Sequence, residues 1–223
     1  MVLVPHLNGI EEPCENGLKL LEASGLKVQR LRGCSAIDLA RNQMASSALR
    51  DGYDSFLFID ADVGFYWKDA IELINRPEPV AAAVYPLKGV ADFVCQFADH
   101  IKEVTFGTGA PDSYPIKYAA TGFLRVKTSV LTQMIDFFKL PLCNTFWGKG
   151  FWPFFQPMII PFNGGYRYLG EDWSFCERCN QMGVPIIADT RIRLQHWGYY
   201  GYTWEDVTDV RMKNQTHTYK VQR

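Results

Sequence analysis

The chain has 223 residues, of which 48% are hydrophobic and 21% charged, so it can bury one sizeable core. A formal net charge of -1 gives no reason to infer general nucleic-acid binding, which normally requires a dense basic surface. No apolar run reaches the length of a transmembrane segment, and the N-terminus lacks the layout of a signal peptide. We therefore expect a single domain over residues 1–223 with a cytoplasmic location.

The first 85 residues alternate between strand-like and helix-like patterns. Short apolar runs predict strands, and apolar residues at helical spacing predict helices: strands at 2–5, 27–31, 55–59 and 80–85, and helices around 18–21 and over 35–50 and 67–75. Ser35 to Asp38 has the form of a capping box. This alternation is typical of βαβ units and predicts an α/β fold with a doubly wound, mainly parallel sheet flanked by helices.

The second half of the chain is less regular. Turn residues continue up to residue 120. A strand is predicted at 121–126 and a helix at 129–139, and an aromatic stretch with three prolines follows at 146–162. A second helix is predicted at 171–182, and two strands at 185–188 and 192–195. Gly183 marks the end of the second helix.

The cysteines follow no disulfide-framework pattern, which predicts free thiols in the cytoplasm. Cys176 and Cys179 have C-x-x-C spacing, yet they fall in a helical pattern without a strand-to-helix redox context or a second cysteine pair. We interpret them as buried core residues.

Acidic residues stand at two predicted element ends. Asp60 and Asp62 follow the strand at 55–59, where α/β sheets bind their ligands, and they point to opposite faces of an extended chain. Glu171 and Asp172 begin a helix, and His196 follows the last predicted strand. Together these residues predict a metal-diphosphate site with a base beside it. Carboxylates suit Mg²⁺ or Mn²⁺, and an imidazole favours Mn²⁺.

These motifs resemble the GT-A class of nucleotide-sugar-dependent glycosyltransferases, of the DxD-containing, family 2-like type. The resemblance covers about 200 residues and rests on motifs in the family's order: Val2–Pro5, Asp38–Asn42, Asp60–Asp62, Thr121–Phe123, Glu171–Asp172 and His196. It implies a nucleotide-binding half over about residues 1–100 and an acceptor-binding half over about residues 101–223. It also implies that Asp60 and Asp62 hold a cation and the ribose, with His196 completing the metal shell.

The chemistry assigns separate roles to the acidic residues. Asp62 is the first expected metal ligand, and Asp60 is placed on the ribose or a metal-bound water. His196 is a further ligand or, alternatively, a hydrogen-bonded core histidine. Asp172 is the expected base with Glu171 orienting hydroxyls, although the helix dipole alone also favours acidic residues there. If Asp172 is the base, the transfer is a single displacement with inversion.

Further residues at the same edge are expected to contact the nucleotide sugar: Pro5, His6, Asp38, Arg41, Asp60, Ala61, Lys88 and Gly122. Arg41 has the geometry to pair with phosphate or with Asp60, and a surface salt bridge is its alternative. Lys88 would neutralise phosphate or be an ordinary exposed lysine. Gly122 would allow a sugar close to the backbone or mark a bulge. The alternative role of Asp38 is to cap the helix predicted at 35–50.

The aromatic stretch at 146–162 is either an acceptor platform or core packing, and a membrane-touching loop is a third alternative. We predict a metal-dependent transferase that moves a hexose or deoxyhexose from a UDP- or GDP-sugar to a glycan or protein-linked glycan. Phe58 to Gly64 also resembles the nucleophile motif of haloacid-dehalogenase-type phosphatases, which is the second hypothesis. A non-catalytic nucleotide-sugar- or glycan-binding protein is the third.

Overall fold

The computed structural model describes residues 1–207 and 216–221. Five helices lie in this part: α1 (Glu12–Ala23), α2 (Ile37–Arg50), α3 (Trp67–Ile74), α4 (Thr128–Phe138) and α5 (Glu171–Gln181). The strands of the same part are β1 (Val2–His6), β2 (Val28–Arg32), β3 (Ser55–Ile59), β4 (Val63–Gly64), β5 (Val80–Ala83), β6 (Gln96–Phe97), β7 (Glu103–Gly107), β8 (Tyr114–Tyr118), β9 (Phe123–Lys127), β10 (Met158–Phe162), β11 (Gly165–Leu169), β12 (Ile186–Asp189), β13 (Gln195–Trp197), β14 (Gly201–Tyr202) and β15 (Thr216–Lys220).

A central sheet of eight strands carries the fold, in the order β2-β1-β3-β9-β5-β12-β8-β6. Six of these strands run in one direction, and β9 and β8 run the opposite way. Antiparallel β9 lies between β3 and β5. It is reached from β8 through a short connection without a crossover helix, which is why helix-strand alternation alone does not predict it.

Helices cover both faces of the sheet. Helices α2, α4 and α5 pack on one face, and α1 and α3 pack on the other. Along β3, Phe56 and Phe58 join the first core while Leu57 and Ile59 join the second, and all four are fully buried. Each such side chain stabilises the fold by about 1.5–3 kcal/mol. A strand buried on both faces reads as a continuous apolar run, which is how the sequence predicted it.

The first two connections create a crevice at one edge of the sheet. Helix α1 links β1 to β2 across one face, and α2 links β2 to β3 across the other. Because α1 and α2 lie on opposite faces of the sheet, the loops that follow the neighbouring strands β1 and β2 diverge at the carboxyl ends of these strands. Asp60 and Asp62 lie at this point.

Two local predictions are wrong. Helix α2 begins at Ile37 with Ala36 as its N-cap, and no side chain caps it. The Ser35 amide instead donates to the Gly33 carbonyl at 3.1 Å in the turn after β2, so the capping box does not form. The strand expected at 192–195 lies at β13, and His196 is therefore inside a strand instead of after one.

The cysteine prediction is confirmed. All six cysteines are free, and Cys176 and Cys179 are fully buried on α5. Burial raises the pKa of Cys176 to about 12, so the thiol stays neutral. Within the described residues, no helix combines the length and the apolar character that a membrane crossing requires.

The aromatic stretch divides between core and surface. Phe154 and Phe155 are fully buried, whereas Phe146 and Trp147 are 74% and 80% exposed. Asn42 on α2 holds the buried part, since its Oδ1 accepts the Phe155 amide at 2.7 Å. Core packing therefore holds for Phe154 and Phe155, and this packed part is anchored to the helix that carries Arg41.

We expect Asn42→Ala to lower the free energy of unfolding by about 1–3 kcal/mol, because the buried Phe155 amide loses its acceptor. Denaturant unfolding measures this change. The control is Gln43→Ala at the next, exposed position of α2, which should change stability by less than about 0.5 kcal/mol. Equal effects of the two substitutions would contradict the anchoring role of Asn42.

Candidate functional site

A cleft of about 480 Å³ opens between the loops that follow β1 and β3 on one side and the start of α2 on the other. This volume is typical of a small-molecule site. Its wall contains six residues that the sequence singled out: Pro5, His6, Arg41, Asp60, Ala61 and Asp62. The loop from Leu7 to Glu11, with Cys34 and Ile37, completes the wall, and these residues were not predicted to line it. Asp38 does not line the cleft, and its place in the first turn of α2 is explained by the helix dipole.

A buried guanidinium connects three elements at the cleft. Arg41 on α2 donates from Nη2 to both carboxylate oxygens of Asp60, at 2.9 and 3.2 Å. Its Nε lies 3.5 Å from Glu171 Oε1 at the start of α5, an ion-pair distance that does not make a hydrogen bond. Burial opposes the charge of Arg41, but the two carboxylates more than offset it and raise the pKa. Of the two pairings expected for Arg41, the structure forms the one with Asp60.

Arg41 still has donors without a protein partner. Its side chain is only 4% exposed, yet Nε and Nη1 make no hydrogen bond among the described residues. The Nδ1 atom of His6 in the same cleft wall is also buried without a partner. Buried polar atoms normally have partners, so these atoms suit a ligand that supplies acceptors.

Asp62 lies in a second cluster, with two positively charged or ionisable partners at one oxygen. Lys88 Nζ is 2.5 Å from Asp62 Oδ2, and His196 Nε2 is 3.6 Å from the same atom. Burial raises the pKa of Asp62, but His196 and Lys88 together lower it to about 2. Asp62 is therefore an anion at any physiological pH.

Strand pairing brings His196 to Asp62. In a three-stranded sheet of the order β14-β13-β4, His196 pairs with Val63, the residue after Asp62. The Trp197 amide also donates to the Asp62 carbonyl at 2.7 Å. The two-residue strand β4 is too short to show a sequence pattern, so this pairing was not predicted.

The tautomer of His196 follows from its partner. Its Nδ1 lies 2.9 Å from the carbonyl oxygen of Pro86, which can only accept a hydrogen bond. Nδ1 therefore carries a proton, and Nε2 is the ring nitrogen that faces Asp62. A carbonyl that orients a histidine through its other nitrogen is the usual support of a metal-binding imidazole.

Asp62 and His196 have the chemistry of a two-ligand site for a divalent cation. Asp62 Oδ2 and His196 Nε2 lie 3.6 Å apart, and a carboxylate oxygen and an imidazole nitrogen are both atoms that bind divalent cations. No group of three His, Cys, Asp or Glu side chains in residues 1–207 and 216–221 is arranged to hold a metal alone. Mg²⁺ and Mn²⁺ sites often take one or two protein ligands, with phosphate oxygens and water in the remaining positions. One carboxylate and one imidazole suit Mn²⁺.

Gly122 and Tyr85 pack closely beneath Asp60. The Asp60 amide donates to the Gly122 carbonyl at 3.0 Å. A Cβ atom at Gly122 would lie 2.0 Å from Tyr85 Oη and 2.9 Å from Asp60 Oδ2, so only glycine fits here. The close approach at Gly122 is thus made by protein groups. Sequence reasoning missed Tyr85, although its position after β5 at the same sheet edge was a usable signal.

Asp172 combines burial with a helix N-terminus. Its Oδ1 accepts the Trp173 amide at 2.7 Å, and Gly170 is the N-cap of α5. Burial, followed by the charge of Glu171, raises the pKa of Asp172 to about 6. A carboxylate that titrates near neutral pH is suited to accept a proton.

The exposed aromatic side chains lie apart from this cleft. Trp147 lines a second cavity of about 340 Å³ between β2 and α2, together with Arg50 and Lys149. None of the residues of this cavity lines the cleft at Asp60 and Asp62. Phe146 and Trp147 therefore do not belong to the wall of the cleft.

No protein-family model matches the chain, and no curated protein does. Among solved structures, A197 from STIV is similar at 15% identity, over 88% of this chain and 85% of that chain, with a TM-score of 0.52. A CMP:2-keto-3-deoxy-manno-octonic acid synthetase complexed with CTP shares 12% identity over 84% of this chain and 88% of that chain, with a TM-score of 0.39. The first similarity shows the fold alone, and the GT-A-like α/β class expected from the sequence is confirmed.

We expect Gly122→Ala to destabilise the protein by about 1–3 kcal/mol, because its Cβ would overlap Tyr85 Oη. Chemical denaturation of Gly122→Ala, Tyr85→Phe and the double variant measures the coupling free energy between the two positions. Removal of the Tyr85 hydroxyl in the double variant should recover part of the stability that Gly122→Ala loses. Gly165→Ala is the control, because its Cβ would meet nothing closer than the Phe162 carbonyl oxygen at 3.8 Å. An equal cost at Gly122 and Gly165 would contradict the packing argument.

We expect Asp172→Asn to stabilise the fold at pH 7.5, on the order of 1–2 kcal/mol. The pKa of about 6 in the folded state lies above the ordinary value of 3.8, so the charged form opposes folding and the gain should shrink towards pH 5. Urea unfolding at the two pH values measures it. The exposed Asp136 on α4 supplies the control Asp136→Asn, which should have no such pH dependence. A destabilised Asp172→Asn at pH 7.5 would refute the expectation.

Proposed function

We propose that this protein is a metal-dependent glycosyltransferase that moves a sugar from a nucleoside diphosphate sugar to a hydroxyl of a glycan or protein-linked glycan. The observation that carries the proposal is the meeting of Asp62, His196 and Lys88 at the edge of the sheet where the first crossovers diverge. One carboxylate, one imidazole and one ammonium beside a nucleotide-sized cleft suit a cation and a diphosphate together.

The cleft supplies the donor site in this proposal. Pro5 and His6 at the end of β1 face the nucleoside, and the unpartnered His6 Nδ1 offers a polar contact. Asp60, held by Arg41, is directed to the ribose, and the unpartnered Arg41 donors offer contacts to acceptor atoms of the donor. UDP- and GDP-sugars are the expected donors.

Asp62 and His196 would hold Mn²⁺ or Mg²⁺, which stabilises negative charge on the departing diphosphate. The residues of the chain prepare this site in three ways. Asp62 stays ionised because its pKa is about 2, and the Pro86 carbonyl holds His196 with Nε2 towards Asp62. Lys88 adds a positive charge at the same place, which would compensate further charge on the leaving group.

Asp172 is the proposed base. In a single displacement, the acceptor oxygen attacks the anomeric carbon, the sugar-phosphate bond breaks, and its electron pair passes to the diphosphate. The hydroxyl proton passes to Asp172, which is mostly ionised at pH 7 because its pKa is about 6. Glu171, fixed near Arg41, would orient the acceptor or sugar hydroxyls. This course inverts the configuration of the sugar.

The phosphatase hypothesis requires Asp60 to act as the nucleophile at phosphorus. In the structure, both carboxylate oxygens of Asp60 accept from Arg41, which lowers the availability of their lone pairs for attack. The transferase proposal uses Asp60 in this paired state. A non-catalytic binding protein would bind the nucleotide sugar without turnover, so an assay of sugar transfer separates it from the enzyme.

The proposal predicts that one nucleoside diphosphate raises the melting temperature in the presence of Mn²⁺. At a ligand concentration of about a hundred times Kd, the rise should be about 5–10 °C. Asp62→Asn should lose the manganese-dependent part, because the carboxylate charge is removed. Asp38→Asn is the control, since Asp38 lies outside the cleft. Differential scanning fluorimetry with UDP, GDP and their sugars measures these shifts.

Two results would redirect the assignment. Stabilisation by phosphate with Mg²⁺, but by no nucleotide, would reject the transferase proposal and favour the phosphatase. Nucleotide binding by both wild type and Asp62→Asn, without sugar transfer to any acceptor, would favour the non-catalytic protein.

A further inference from the structure

The segment from Pro86 to Lys88 contributes two separate groups to the candidate metal site. The Pro86 carbonyl accepts from His196 Nδ1 and orients the imidazole. Two residues later, the Lys88 ammonium lies 2.5 Å from Asp62 Oδ2. One short loop therefore positions one of the two candidate ligands and places a positive charge on the other.

Lys88 and His196 approach the same carboxylate oxygen. His196 Nε2 is 3.6 Å from Asp62 Oδ2, the atom that Lys88 contacts. A divalent cation shared by Asp62 and His196 would need the region that the ammonium now fills. Two like charges at one oxygen repel each other strongly in a partly buried site. The ammonium and the divalent cation therefore exclude one another unless further negative charge is supplied.

The Lys88 side chain is able to leave this position. It is about one-third exposed, at 35%, and Asp62 is its only hydrogen-bond acceptor among the described residues. Its stem passes beside Gly198, where an added Cβ would lie 3.1 Å from Lys88 Cδ. The lysine side chain has a flexible four-carbon stem, so the ammonium can move several ångströms without a backbone change.

We propose that Lys88 competes with the divalent cation for Asp62, and that a bound diphosphate removes the competition by drawing the ammonium to its own oxygens. The role of the diphosphate rests on the proposed function, whereas the competition concerns Asp62 alone. Lys88 is then a positioning residue that makes metal and nucleotide bind together. The protein alone binds Mn²⁺ weakly, and each ligand strengthens the binding of the other by the same factor.

The first experiment measures Mn²⁺ binding to the full chain without nucleotide, by the electron paramagnetic resonance signal of free Mn²⁺. Lys88→Met removes the ammonium and should tighten Mn²⁺ binding at least tenfold. Lys88→Arg keeps the charge and should bind as weakly as wild type. Lys149→Met, at an exposed lysine of the second cavity, should also match wild type. Adding Asp62→Asn to Lys88→Met should abolish the gain, which assigns the bound Mn²⁺ to Asp62.

The second experiment repeats the titrations with UDP and with GDP. In wild type, the nucleotide that binds should tighten Mn²⁺ binding at least tenfold, and in Lys88→Met this factor should be several times smaller. Circular dichroism establishes that each variant is folded, and Lys88→Arg tests the charge if Lys88→Met does not fold.

Two outcomes overturn the inference. Equal Mn²⁺ affinity of Lys88→Met, Lys88→Arg and wild type would show that the ammonium does not compete. Nucleotide binding that needs Lys88 but is unaffected by Mn²⁺ would show that the ammonium replaces the metal, so the nucleotide site of the proposed transferase would stand and its metal dependence would fail. If no nucleotide binds to any variant, the proposed function fails, and the nucleotide-free comparison still decides the competition.

Discussion

The buried ion pair of Arg41 with Asp60 is the interaction on which the site depends. A guanidinium that is 96% removed from solvent must be paired, because an isolated buried charge is strongly unfavourable. Its partners come from the end of β3 and, through Glu171, from the start of α5. Arg41 therefore fixes the distance between the two acidic motifs, which lie more than a hundred residues apart in the chain.

The other half of the site depends on backbone pairing. The β4–β13 ladder sets His196 beside Asp62, and the Pro86 carbonyl then fixes the orientation of the ring. Asp60 and Asp62 thus have different environments although they are one residue apart. Asp60 is held by a buried arginine, and Asp62 faces an imidazole and a partly exposed ammonium. The extended chain expected at Asp60 and Asp62 is not formed: the Val63 amide donates to the Asp60 carbonyl at 3.0 Å, and this turn separates the two carboxylates.

The surroundings of the site shift the pKa values of two of its carboxylates in opposite directions. The pKa of Asp62 falls to about 2 because positive partners outweigh burial, and the pKa of Asp172 rises to about 6 because burial and Glu171 prevail. Pairs of carboxylates with separated pKa values are typical of sites where one carboxylate binds charge and another moves a proton. The charged form of Asp172 costs stability, a common feature of functional residues.

The sequence by itself determined the local elements. The buried run of β3, the helix starting at Glu171 and the position of Asp60 and Asp62 at a strand end follow from side-chain periodicity within about ten residues. Tertiary structure alone decided the antiparallel insertion of β9, the strand position of His196 and the roles of Tyr85, Pro86 and Lys88. Each of these depends on a partner distant in sequence, and a backbone carbonyl or a two-residue strand leaves no pattern in the amino-acid sequence.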